Sequence, residues 1–213
     1  MTTADGLPPY AARLQIDYPE QRNRLTVAFR IILVIPIAIV LSILGGTSAT
    51  FSDQGGVQQV ALSATSGLMF ATMLMLLFRQ RYPRWWFDFA YALSRFNLRV
   101  GAYMALLVDE YPSTEDDQRV HFELDYPNAE EDLNRWLPLI KWLLAIPHYI
   151  VLFVLILLAM FATVFAWFAI IIVGRYPRGL YNFVVGVSRW GMRVSAYAFL
   201  LVTDRYPPFR LEP

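Results

Sequence analysis

From Trp142 to Val173 the chain carries no formal charge, and no other feature restricts its fold as strongly. A stretch of that length has to be hidden in a large core or in lipid, because the hydrocarbon centre of a bilayer takes roughly 20 apolar residues in one helix. Two further charge-free runs, Ile31 to Leu44 and Val57 to Phe78, flank the glycine-rich segment Gly45 to Gly56, which reads as an exposed turn. Composition agrees: 57% of the 213 residues are hydrophobic, 16% are charged and the net charge is +1. These values fall outside the range of soluble domains and exclude a disordered chain or a nucleic-acid-binding module. Basic residues border the runs on both sides, with Arg22, Arg24 and Arg30 before the first pair and Arg79, Arg81 and Arg84 after it. Arg135 and Lys141 precede the long run, and Arg175 and Arg178 follow it. Under the positive-inside rule this pattern favours hairpins whose ends share the cytoplasmic side over single crossings. Four spans in two hairpins are therefore expected, at about 24–44 with 57–78 and 135–154 with 158–174. Residues 155–163 offer no glycine, proline or asparagine for a turn, which leaves one long helix open there.

Self-comparison reveals a tandem duplication with a period of about 100 residues. Asp17-Tyr18-Pro19 recurs as Asp125-Tyr126-Pro127, Asn23-Arg24 as Asn134-Arg135, and Ile35-Pro36 as Ile146-Pro147, with Arg30 matched by Lys141. Arg81-Tyr82-Pro83-Arg84 returns as Arg175-Tyr176-Pro177-Arg178, followed by Ser94-Arg95 against Ser188-Arg189 and Arg99-Val100 against Arg193-Val194. After each hairpin, at 84–102 and 178–196, polar residues fall on a narrow stripe and aromatic residues on the broad remainder, the pattern of an amphipathic helix in the headgroup layer. The segments Arg13 to Asp17, Tyr103 to Asp109, Arg119 to Asp125 and Tyr197 to Asp204 are short, apolar or alternating, and closed by Tyr-Pro pairs. They read as strands of a small cytoplasmic antiparallel sheet.

The expected fold is thus a membrane α-helical protein with a small β part. Residues 1–12 form a flexible, proline-rich segment with no signal-peptide character, 13–112 the first repeat, 113–118 an acidic linker and 119–213 the second repeat.

Chemistry is harder to find. Among the stripe arginines Arg84, Arg95, Arg99, Arg178, Arg189 and Arg193, the pairs Arg95/Arg99 and Arg189/Arg193 repel at i, i+4 spacing and invite either anionic lipid headgroups or internal carboxylates such as Asp17, Asp109, Asp125 and Asp204. Ser63, Gly67 and Ala71 fall on one helix face and let another helix approach closely. His148, at the membrane end of a span, reads as an interfacial hydrogen-bonding residue. With no cysteine and two histidines, and no nucleophile elbow, phosphate loop or metal-ligand pair, no catalytic group, metal or cofactor is expected.

The second copy, from Asp125-Tyr126-Pro127 through Trp142-Leu143-Leu144-Ala145-Ile146-Pro147-His148-Tyr149 and Gly174-Arg175-Tyr176-Pro177-Arg178-Gly179-Leu180 to Asp204-Arg205-Tyr206-Pro207-Pro208-Phe209, resembles an uncharacterised bacterial integral membrane family, DUF4389. The first copy is similar in outline. The resemblance implies a bacterial cytoplasmic membrane protein and no activity. A multi-pass, non-enzymatic scaffold or accessory subunit with both termini cytoplasmic is expected, its partners being anionic lipids and another membrane protein or complex, with no nucleic acid. The alternative is a lipid- or small-solute-handling transporter or channel.

Overall fold

A computed structural model describes residues 9–20, 22–45 and 64–213. Its elements, in order, are β1 (Ala12–Ile16), α1 (Arg24–Ala28), α2 (Arg30–Gly45), α3 (Ala64–Arg79), α4 (Arg84–Met104), β2 (Val120–Leu124), α5 (Pro138–Leu144), α6 (Ile146–Val173) and α7 (Arg178–Ala198). The molecule is mostly helical with one two-stranded antiparallel sheet. Alternation in the sequence sets the sheet's two faces: Leu14 stands opposite Phe122 and Ile16 opposite Val120 on the buried face, while Arg13 faces Glu123 and Gln15 faces His121 on the outer one. Arg13 fixes the register from outside, reaching Glu123 at 3.0 Å and Asp125 at 2.7 Å.

Below this ribbon lie α4 and α7, each of 21 residues and each starting directly after a Tyr-Pro pair whose proline holds an extended backbone. Proline suits that position because the first helical N–H groups have no partner to lose. The helix α6 packs along α7 on the side away from β1. Ala162, Ala166 and Ile170, small or branched residues at helical spacing, are buried in one cluster with Tyr181 and Val184 of α7, and Leu152 is buried in another with Trp190, Val194 and Tyr197. The two helices are therefore antiparallel over most of their length. Gly174 makes the reversal: it holds φ +79°, its N–H caps Ile170 at 2.8 Å, and a Cβ there would stand 3.2 Å from the Arg24 guanidinium.

Several expectations are corrected. The turn expected between 154 and 158 does not form, and α6 runs unbroken for 28 residues; residues 155–163 hold no glycine, proline or asparagine to interrupt it. The preceding α5 is a separate short helix because Pro147 has no N–H to give the carbonyl of Leu143. Among the described residues α6 is the one helix long and apolar enough to cross a membrane. The helices α2 and α3 have 16 residues each, about 24 Å against a hydrocarbon core of ~30 Å, so four spans are not found among the described residues. The strands expected at 103–109 and 197–204 are instead helix ends followed by tight turns, with Leu106 at φ +60° and Leu201 at φ +57°. Leu106 to Val108 and Leu200 to Val202 are buried, and side-chain donors rather than another strand reach the carbonyls of Leu107, Val108, Leu200 and Thr203. The segment expected to be flexible up to residue 12 is anchored before that point, since Tyr10 is buried and donates to the carbonyl of Arg205 at 3.0 Å. Residues 1–8, the expected start of the second span at 57–63, and Ser63 lie outside the described residues.

Candidate cation and lipid interface

Three of the buried cations, Arg22, Arg30 and Lys141, sit in two equivalent settings. In the first, Arg22 and Arg30 converge on Asp109 at 3.3 and 2.8 Å, and their remaining N–H groups donate to the carbonyls of Leu107, Tyr103 and Val108. In the second, Lys141 meets Asp204 at 2.7 Å and donates to the Thr203 carbonyl. Both sites place the cation against a tyrosine face, with Arg30 4.2 Å from the Tyr103 ring centre and Lys141 5.2 Å from that of Tyr197. Both add a backbone donor, Asn23 N–H to Asp109 and Asn134 N–H to Asp204. A carboxylate holding a buried cation that also satisfies turn carbonyls leaves few charges or dipoles unpaired, which is the condition for burying ions at all.

The arms that precede α1 and α5 cross over. Tyr18 donates to the carbonyl of Tyr176, and Tyr126 donates to that of Tyr82. Arg178 lies over the Tyr18 ring at 5.2 Å and Arg84 over the Tyr126 ring at 4.6 Å. Arg135 caps the end of α3 through the carbonyls of Leu77 and Phe78, while Arg24 sits at the end of α6 beside Gly174. Each arm thus docks on the helices that follow the other.

The six stripe arginines divide by position. Arg84 and Arg178 are exposed, and Arg84 also approaches Asp88 at 3.6 Å. Arg99 is buried and donates to the carbonyls of Ser113 and Asp116, tying down the acidic linker. Arg189 donates to Leu14 and Leu211 carbonyls, and Arg193 to those of Arg210 and Glu212. Arg95 is half-buried and makes no hydrogen bond among the described residues; it borders a cavity of about 210 Å³ with Gln118, His121 and Glu123. The expected internal carboxylates are engaged elsewhere: Asp17 with His121, Asp125 with Arg13, Asp109 and Asp204 as above. Arg189 and Arg193 also line a cavity of about 470 Å³ with Arg13, Arg210 and Tyr10. Burial, reinforced by the charges of Arg210 and Arg189, pushes the Arg193 guanidinium down to about 10, and burial lowers Arg189 as well. The carboxylate of Glu123 lines the same cavity.

Of the helix-packing face expected at Ser63, Gly67 and Ala71, Ser63 lies outside the described residues and Gly67 is open. Nothing lies within 4 Å of a Cβ built at Gly67, and α3 buries Thr72 and Leu76 instead, with the Thr72 hydroxyl accepting from Trp86 at 2.8 Å. His148 is fully buried rather than interfacial, stacked 3.9 Å from Phe209 and accepting at Nδ1 from the Trp190 indole. Sequence reasoning missed the buried roles of Arg22, Arg30 and Lys141. The signal was present in the matched pairs Arg30/Lys141 and Asp109/Asp204, which recur together.

Residues 136–210 match the family described as Domain of unknown function (DUF4389). This single match covers α5, α6 and α7 and the turn holding Asp204, about a third of the chain. Residues before 136 are outside it, so the expected second DUF4389 copy is not among the matches. No curated protein and no solved structure matches the chain.

Proposed function

We infer that the chain is a non-enzymatic protein of the bacterial cytoplasmic membrane, a scaffold or accessory subunit of a membrane complex, built by tandem duplication of one DUF4389-like unit, with both termini on the cytoplasmic side. The observation that carries this reading is the surface of α6: of its most apolar stretch 17% is buried, and phenylalanine, leucine and isoleucine side chains face outward around most of its circumference. An apolar surface of that extent is covered by lipid or by another protein. The chain's own charges are spent on holding its segments together, as Arg22, Arg30, Arg99, Arg189, Arg193 and Lys141 all donate to backbone carbonyls. Duplication is supported by the paired cation sites and by the reciprocal docking of Tyr18 and Tyr126.

A second reading, lipid or small-solute handling with the stripe arginines gathering anionic headgroups, draws on the arginine-lined cavity beside α7. Purification from native membranes in mild detergent separates the two. A stoichiometric protein partner supports the scaffold, and tightly held anionic lipid without a partner supports lipid handling. Recovery of the chain in the supernatant of an alkaline wash refutes both.

A further inference from the structure

We propose that α6 lies along the membrane, sunk into one leaflet and parallel to its plane, rather than crossing from one side to the other. The proposal rests on the membrane reading above. Length alone permits a crossing, since its 28 residues reach about 42 Å against a hydrocarbon core of ~30 Å. The neighbours of α6 decide against it. The helix α7 returns along α6 from Gly174, meeting it in the Ala166 and Ile170 region at one end and at His148 at the other, where the Trp190 indole donates to the imidazole.

The strand β1 follows the opposite face of α7 over the same length. Leu14 accepts from Arg189, Ile16 accepts from Tyr181, and Tyr18, just beyond the strand, donates to the Tyr176 carbonyl. The outer face of the ribbon carries Arg13, Asp17, His121, Glu123 and Asp125, with side chains 37–70% exposed. The direction that separates charge from apolar surface therefore runs through three layers, ribbon to α7 to α6, at right angles to the α6 axis.

Standing α6 upright would carry this ribbon into the hydrocarbon beside it, leaving ions and edge peptide groups without water. Laying α6 flat puts the ribbon in water, α7 at the boundary and the outward side chains of α6 among acyl chains, the arrangement of an interfacial helix. Lipid is the occupant that the flanks of α6 fit. Exposed Arg175 and Arg178 follow its last turn, and Trp136 and Trp142, 65% and 49% exposed, precede its first. Such residues hold a helix at headgroup level.

The chain has no cysteine, so single cysteines can be introduced without a background. Spin labels at Ile150, Phe153, Met160, Val164 and Phe168, all exposed, are placed in full-length protein reconstituted into phosphatidylethanolamine and phosphatidylglycerol vesicles. Depth is read from the ratio of oxygen to water-soluble nickel accessibility, on variants that keep the parent's thermal transition. Depths equal to within about 5 Å, the radius of a helix with its side chains, support the flat placement. A label at Met160 about 15 Å deeper than one at Ile150, the axial distance between them, overturns it while leaving membrane residence intact. Nickel access at every position, with vesicles that fail to float the protein, overturns the membrane reading and with it this one.

Discussion

Replacing Asp109 with asparagine tests the claim that buried cations are held by paired carboxylates. The side chains of Arg22 and Arg30 are 0% and 4% exposed and that of Asp109 is 24% exposed. Removing one partner of a buried ion pair costs about 3–5 kcal/mol. Partial exposure of Asp109, and the three carbonyls that still receive N–H groups from the two arginines, reduce the expected loss to about 2–3 kcal/mol. For a chain of this size that corresponds to a fall in Tm of roughly 4–12 °C. Asp125→Asn is the internal control, since its partner Arg13 is 37% exposed and Asp125 54%. Surface pairs of this kind are worth ~1 kcal/mol at most. Tryptophan fluorescence followed through thermal unfolding in detergent, at low and at high salt, reads both. The surface variant's small shift should vanish at high salt, whereas the Asp109 shift should persist because buried pairs are little screened. Equal melting of the two variants, or an Asp109→Asn shift below about 2 °C, refutes the reasoning.

Gly174→Ala should lose about 1–2 kcal/mol, because a Cβ at φ +79° is strained and would crowd Arg24; the same melting assay reads it. Ala166→Leu, at a position with no exposure between α6 and α7, should cost about 1–3 kcal/mol by wedging the helices apart, and a neutral result would contradict the antiparallel packing. Arg193 gives a pH dependence. Burial and its arginine neighbours lower it to about 10 in the folded chain, and unfolding restores the ordinary higher value, so above about pH 10 the unfolded state binds more protons and this group's contribution to stability rises with pH. Relative to Arg193→Met, the parent protein should therefore gain stability between about pH 10 and about pH 12 and show a constant difference below that window, as followed by thermal midpoints across the series.

The ribbon and the two 21-residue helices were legible in the sequence because their patterns are one-dimensional. Alternation sets the two faces of β1 and β2, and a polar stripe at helical spacing marks α4 and α7. What failed was everything settled by a distant partner. Leu106 to Val108 and Leu200 to Val202 look like strands because they are short and apolar, yet carbonyls of both runs are met by Arg22, Arg30 and Tyr82 from other elements. The stripe arginines illustrate the same limit. Repulsion along the helix was evident, but carbonyl groups of Leu14, Ser113 and Leu211 take the donors, and a carbonyl has no sequence signature.

At the ribbon the two halves differ by one exchange of side chains. Leu14 and Phe122 are cross-strand partners, and each offers its carbonyl to the helix beneath. Arg189 takes that of Leu14 at 3.0 Å. The equivalent arginine, Arg95, makes no such bond, and the Tyr91 hydroxyl donates to Phe122 at 2.8 Å in its place. The position equivalent to Tyr91 is Val185, which has no donor, so Arg189 faces no competitor. One aromatic hydroxyl thus anchors β2 on α4 and releases a guanidinium, whereas its absence commits the guanidinium to anchoring β1 on α7. Both strands stay fastened, as the ribbon requires, but at this crossing Arg95 makes no backbone bond among the described residues and stands beside Gln118 and His121, whereas Arg189 is bonded to Leu14. The paired sites of Arg30 and Lys141 stay alike because each must hold its own turn, and divergence is confined to a crossing where either donor suffices.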